Sequence, residues 1–140
     1  MSLAAVPDVP PQLRTFLAFD YGLKRTGVAV GNRMLRTATP QPTIRADAAA
    51  ARFAQVQERL REWQPDALVV GVPLHPDGAS HENTDRARKF ARQLRGRFAL
   101  PVYEVDERYS TTEALSMGAG GDADAGAACI ILEQFLRSLP

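Results

Sequence analysis

One cysteine and two histidines in 140 residues leave no material for a disulfide framework or for a zinc site built from thiolates and imidazoles. Cys129 lies within an apolar run, as expected of a thiol kept reduced in a cytoplasm. No apolar stretch approaches the length needed to span a bilayer, and Met1 to Pro11 has neither the basic start nor the long apolar centre of a signal peptide. The expectation is a soluble, cytoplasmic protein. The formal net charge is only +1, so no global field advertises a nucleic-acid partner and charge has to be read locally. Internal repeats and low-complexity tracts are also lacking. A chain of this length buries one core and cannot form two full lobes. Pro7, Pro10 and Pro11 suit neither a helix interior nor a central strand, so residues 1–14 read as a loose leader before a single domain spanning 15–140.

What is present is organised around Phe16 to Gly31. An apolar run ends in Asp20, a glycine turn carries Lys24 and Arg25, and a second apolar run follows; this is the pattern of a β-hairpin. A carboxylate at a buried strand end is costly unless something positive meets it. Asp20 is therefore either the start of a metal site or an aspartate that caps a turn.

Leu35 to Ile44, interrupted by Pro40 and Pro42, allows a third strand only at a sheet edge. Asp47 to Trp63 changes period: Phe53, Val56, Leu60 and Trp63 form an apolar stripe, with Arg52 among the polar positions between them, Asp47 as N-cap and Pro65 as stop. Ala67 to Val72 is continuously apolar, as in a strand buried on both faces. A second helical stripe, Ala87, Phe90, Ala91 and Leu94, runs between about Glu82 and Arg97. Pro101 to Glu107 reads as a strand ending in acid, Ser110 to about Met117 as a short helix opened by a capping box, and Asp124 to Leu136 as a terminal helix. The predicted order is βββαβαβα, a meander followed by parallel strands with helical crossovers.

Ligands of such sheets gather beyond the carboxyl ends of the parallel strands. Asp20, the Asp106-Glu107 pair and Asp124 converge on that edge. Clustered carboxylates stay ionised only beside cations, and hard oxygen donors without a histidine or cysteine set favour Mg2+ or Mn2+. Metal-assisted hydrolysis of phosphodiesters is the reaction class this suggests. Adjacent strand residues face opposite sides, so either Asp106 or Glu107 can be the ligand. Taken singly, each acid has a plainer use: solvated charge, a salt bridge to Arg108, or a helix N-cap for Asp124. Lys24 and Arg25 are placed to grip a phosphate, and Arg86, Arg88, Lys89 and Arg92 can follow a nucleic-acid backbone or simply form a solvated helix face. His75 and His81 match no established zinc spacing. Tyr21 and Tyr109 flank the acids and can stack on bases or pack locally.

Five ordered motifs carry a resemblance to a known family: Leu-Ala-Phe-Asp-Tyr-Gly-Leu-Lys-Arg-Thr-Gly from Leu17, Val-Val-Gly-Val-Pro-Leu-His-Pro-Asp-Gly from Val69, Arg-Ala-Arg-Lys-Phe-Ala from Arg86, Val-Asp-Glu-Arg-Tyr-Ser-Thr-Thr-Glu-Ala from Val105, and Asp-Ala-Gly-Ala-Ala-Cys-Ile-Ile-Leu from Asp124. Together they resemble the YqgF/RuvX family, described both as Holliday-junction resolvases and as nucleases of pre-16S rRNA. The resemblance implies an α/β, ribonuclease-H-like fold: a five-stranded mixed sheet, an antiparallel meander of three strands and then two parallel ones, flanked by helices. It implies a two-metal nuclease site with Asp20 as the first-strand acid, Asp124 as the last-helix acid and Asp106-Glu107-Arg108 as the acidic motif between them. Gly71 stands where related resolvases carry a glutamate. Leu23 occupies a position commonly threonine, and the segment from Met117 to Asp124 is short and acidic where relatives have a longer basic loop. The expected partner is branched DNA or structured RNA, and a junction substrate implies a homodimer with two sites. Two other readings start from the same residues: a nucleic-acid-binding domain without turnover, and a sugar-kinase or actin-like ATPase, which needs the second lobe this chain length does not supply.

Overall fold

Alternation along the central strand sorts the core into two layers. The computed structural model describes residues 9–74, 82–106 and 123–140, the last span without the side chain of residue 123. Its elements are β1 (Thr15–Asp20), β2 (Arg25–Asn32), β3 (Ala38–Arg45), α1 (Ala49–Trp63), β4 (Ala67–Val72), α2 (Glu82–Phe98), β5 (Val102–Asp106) and α3 (Ala123–Arg137). They form a five-stranded sheet in the order β3-β2-β1-β4-β5. The meander β3-β2-β1 is antiparallel, while β4 and β5 add in parallel. This is the expected topology, and β3, the strand with two prolines, occupies an edge.

Leu17 and Phe19 of β1 pack with Val28, Val70, Phe53, Val56, Phe90 and Leu94 under α1 and α2. Phe16 and Ala18 pack with Ala29, Val69, Ile131, Leu132 and Phe135 under α3. All of these side chains are buried, and each large one contributes about 1.5–3 kcal/mol by leaving water. The α3 layer requires glycine in β2. A Cβ at Gly27 would lie 1.9 Å from the backbone oxygen of Asp124, and one at Gly31 would lie 2.6 Å from the Thr37 oxygen and 3.0 Å from Leu132 Cδ2. The helix thus rests directly on the strand's backbone, with its first turn at Gly27 and its later turns at Gly31.

Three local expectations are corrected. The N-cap of α1 is Ala48, with no side-chain cap bond, rather than Asp47, whose side chain lines a cleft instead. At the other end Gln64 takes a left-handed conformation, φ 44°, and its N–H donates to the Leu60 carbonyl before Pro65. Trp63, placed in the apolar stripe by period, is 37% exposed because it is the last helical residue and reaches past the core. Arg52, placed among the polar positions, is buried. Val9 is buried, and the Arg33 guanidinium donates to the carbonyls of Val9, Pro10 and Leu13.

Candidate active site at the carboxyl edge of the sheet

Asp20 closes β1, where its α-carbon pairs with Gly27 across the antiparallel ladder. Directly opposed residues point to the same face. At Gly27 that face is the one on which a Cβ would strike the Asp124 carbonyl. Strand parity agrees, since Phe16 and Ala18 belong to the α3 layer and Asp20 continues their alternation. On the other side of β1, Phe19 pairs with Val70, so Asp20 stands level with Gly71. The carboxylate is therefore flanked by two residues without side chains. Asp20, through its ladder pairing, and Asp124, through its backbone oxygen, both neighbour Gly27 on the α3 face of the sheet. Asp124, with its side chain 28% exposed, forms an ion pair with Arg25, Nε to Oδ2 3.3 Å.

Asp106 is placed differently. Tyr103 and Val105 pack in the α3 layer, whereas Val102 packs in the α1/α2 layer and Glu104 meets Arg88 (3.7 Å) and Arg95 (3.3 Å) on α2. Asp106 shares the parity of Glu104 and so belongs to the face away from Asp20 and Asp124. Glu107 and Arg108 lie outside the described residues, as do His75, His81, Tyr109, the expected helix from Ser110 and the loop before Ala123. Among the described residues, no three carboxylate, imidazole or thiol groups are close enough to hold a metal ion by themselves.

Lys24 and Arg25 line an open cleft of about 640 Å³ together with Gly22, Leu23, Arg45, Ala46, Asp47 and Asp124. It runs between the β1–β2 turn and the β3–α1 connection, with Asp124 on its lining. Leu23 is 53% exposed on its rim. The α2 cations are mostly occupied within the fold: Arg86 with Glu82 at 2.5 Å, Arg88 and Arg95 with Glu104, and Arg97 over the Phe53 ring at 4.1 Å from its centroid. Lys89 and Arg92 remain exposed, without an ion pair among the described residues. Tyr21 packs its ring 4.9 Å from that of Phe90, so its face is committed to the core.

Two residues important to this edge escape a reading by period. The buried Arg52 reaches from α1 to donate to the carbonyls of Leu23 and Ala46, and lies 5.1 Å above the Tyr21 ring. It fastens one wall of the cleft to the other, and the only hint in the sequence is its place beside Phe53. Arg45 enters the cleft from the end of β3, signalled only by alternation with the buried Ile44.

A family model described as "RuvX: Holliday junction resolvase" matches residues 14–138. The chain belongs to the RuvX family. A relative from Polaromonas sp. (strain JS666 / ATCC BAA-500), named "Putative pre-16S rRNA nuclease", is 71% identical over the whole of both chains. Another of the same name, from Albidiferax ferrireducens, is 72% identical over 94% of this chain and 83% of its own. Among solved structures, Thermus thermophilus RuvC in complex with a Holliday junction substrate superimposes with a TM-score of 0.60 at 17% identity, covering 89% of this chain and 94% of that one. A second Thermus thermophilus RuvC structure gives 0.56 at 16% identity, over 89% and 95%. The sheet order and the RuvC likeness together make this RuvX chain ribonuclease-H-like in fold, as its motifs imply.

Proposed function

We propose that this chain is a divalent-metal-dependent endonuclease that hydrolyses phosphodiester bonds in structured nucleic acid. Membership of a nuclease family supports the general class. What supports the specific reading is that Asp20 and Asp124 each neighbour Gly27 on the same face of the sheet. Their donor chemistry fits the expected metal: hard carboxylate oxygens at the carboxyl edge of a parallel strand pair, with glycines leaving room beside them. Mg2+ or Mn2+, when bound, would supply an activated water and stabilise charge on the leaving oxygen. Asp20 and Asp124 would hold it. Because Asp106 has the parity of the α2 face, we assign the third carboxylate to Glu107, the next residue of the acidic motif. Lys24 and Arg25 hold the phosphate of the bond to be cut, and Arg25, already 3.3 Å from Asp124, keeps that carboxylate oriented. Arg108, Lys89 and Arg92 are assigned to more distant phosphates, whereas Arg86 and Arg88 have partners within the fold. A homodimer and a cytoplasmic location belong to the same proposal; among the described residues no helix is long and apolar enough to cross a membrane.

Two substrates are in view. The family description and the RuvC fold favour a four-way DNA junction, and the names of the relatives above 70% identity favour precursor rRNA. Labelled junction DNA and a structured RNA carrying a 5′ extension, each offered with Mg2+, Mn2+ or chelator, separate them. Asp20→Asn and Asp124→Asn are expected to keep binding and to lose cleavage by about 100-fold or more, the scale of removing one group that stabilises developing charge. Undiminished cleavage in both variants would remove the pair from the mechanism, and binding without any wild-type cleavage would leave a nucleic-acid-binding domain.

A further inference from the structure

The cleft lined by Asp124 contains a pairing that is unfavourable for a strand end. Arg25 and Arg45 are direct cross-strand partners of β2 and β3, and like charges directly opposed repel. Both point to the α3 face, because Thr26 and Ile44, their paired neighbours, point the other way into the core. Arg25 is compensated by Asp124 at 3.3 Å. Arg45 is exposed, and its side chain has no hydrogen bond or ion pair among the described residues. Lys24, in the turn across the cleft, is in the same condition, although its carbonyl accepts from the Ala46 N–H at 3.0 Å and so holds the two walls together. Among the described residues, the one further charge on the cleft is Asp47. With Arg25 and Asp124 paired, two cations face one carboxylate in a solvent-filled opening.

We propose that this cleft is a second phosphate position, in which Arg45 holds a backbone phosphate of the nucleic-acid strand next to the one gripped by Lys24 and Arg25. The inference rests on the nuclease reading for its ligand and adds the direction of the strand: it leaves the acids toward the β3 edge of the sheet. A backbone phosphate supplies the anion that the opposed arginines lack. Asp47 limits the affinity, so binding stays readily reversible. The guanidinium of Arg45 is free to take a phosphate in bidentate fashion, as a planar fork does.

The test measures binding in chelator, where cleavage plays no part, using labelled junction DNA and the structured RNA across a range of salt concentrations. Arg45→Gln is expected to bind several-fold more weakly, with a salt dependence shallower by about 0.9 in the log–log slope, the share of one neutralised phosphate. Asp47→Asn is expected to bind more tightly. Arg61→Gln removes the same charge about 18 Å farther along α1, counted from its first residue, and is expected to change the slope little. Arg45→Gln should melt at the same temperature as wild type or higher, since it relieves the repulsion with Arg25; that rules out unfolding as the cause of weaker binding. Equal affinity and slope for Arg45→Gln and Arg61→Gln would overturn the site, as would failure of the wild type to bind either probe. A wild type that binds through Arg45 but never cleaves would sink the nuclease reading and leave this phosphate position standing.

Discussion

At the scale of single residues, Gly27 sets how closely the first turn of α3 can approach β2. The chain could place an alanine there without upsetting a strand, since alanine is tolerated in β2 two residues on, at Ala29, which is fully buried. Space forbids it, because the first turn of α3 brings the Asp124 oxygen to within 1.9 Å of where the methyl would be. Backbone on both sides cannot swing aside as a long side chain would. Gly27→Ala is expected to lower stability by about 1–3 kcal/mol, the usual scale of overpacking, and to reduce cleavage more than that loss explains, because relief moves Asp124 away from Asp20. Urea unfolding midpoints set beside initial cleavage rates check this; a variant with full activity would show that the close approach does not position the acid. Cys129 shows the opposite case, a chemically conspicuous residue with no part in the site. Burial, and then the neighbouring Glu133 charge, push its thiol up to about 11, leaving almost no nucleophilic thiolate near neutral pH.

At the scale of elements, helix α1 and the turn after β1 are joined by Arg52. The residue is 6% exposed, and its guanidinium's acceptors are carbonyls of two different connections, Leu23 and Ala46. Losing those charge-assisted bonds should cost about 1.5–3 kcal/mol. Arg52→Met is therefore expected to fold less stably, read as a lower melting temperature, and to show a raised substrate KM, because Lys24 and Leu23 are no longer held against the β3–α1 connection. Arg52→Lys, which keeps the charge without the fork, should recover only part of either effect. An unchanged KM in both variants would reduce Arg52 to a packing residue. The basic helix α2 carries the reverse lesson: its arginines read as one cationic stripe, yet Glu104 alone engages two of them, Arg88 and Arg95. The stripe was legible, and its partner on β5 was not, because no period relates a helix to the strand that follows it.

At the scale of the whole molecule, the start of β1 is tied to the start of β4 by Asp66, whose Oδ2 accepts from the N–H groups of Arg14 (2.8 Å) and Thr15 (2.9 Å). Those bonds, Thr15 first, hold its carboxyl below the ordinary aspartate value. A depressed folded-state value means that the stabilisation is complete above the unfolded value, about 4, and is lost as pH falls through the folded one. Asp66→Asn is thus expected to melt below wild type at pH 7, with the gap closing as pH is lowered below about 4. A gap that stays constant over that range would mean that the carboxylate's charge is not what joins the strands.

Much of the architecture was already written in the chain. The hairpin around Gly22, the fully apolar Ala67 to Val72, the prolines that confine β3 to an edge and the stripes of α1 and α2 each follow from local sterics and periodic burial, which a sequence displays directly. Five ordered motifs were enough for the family. Tertiary structure alone decided which face of the sheet each acid takes: alternation puts Asp20 on the α3 face and Asp106 on the α2 side, and pairing sets Arg25 against Arg45. Parity within a strand can be counted along the chain. Its absolute direction depends on which helix covers which face of the sheet, a relation between residues far apart in sequence that only packing establishes.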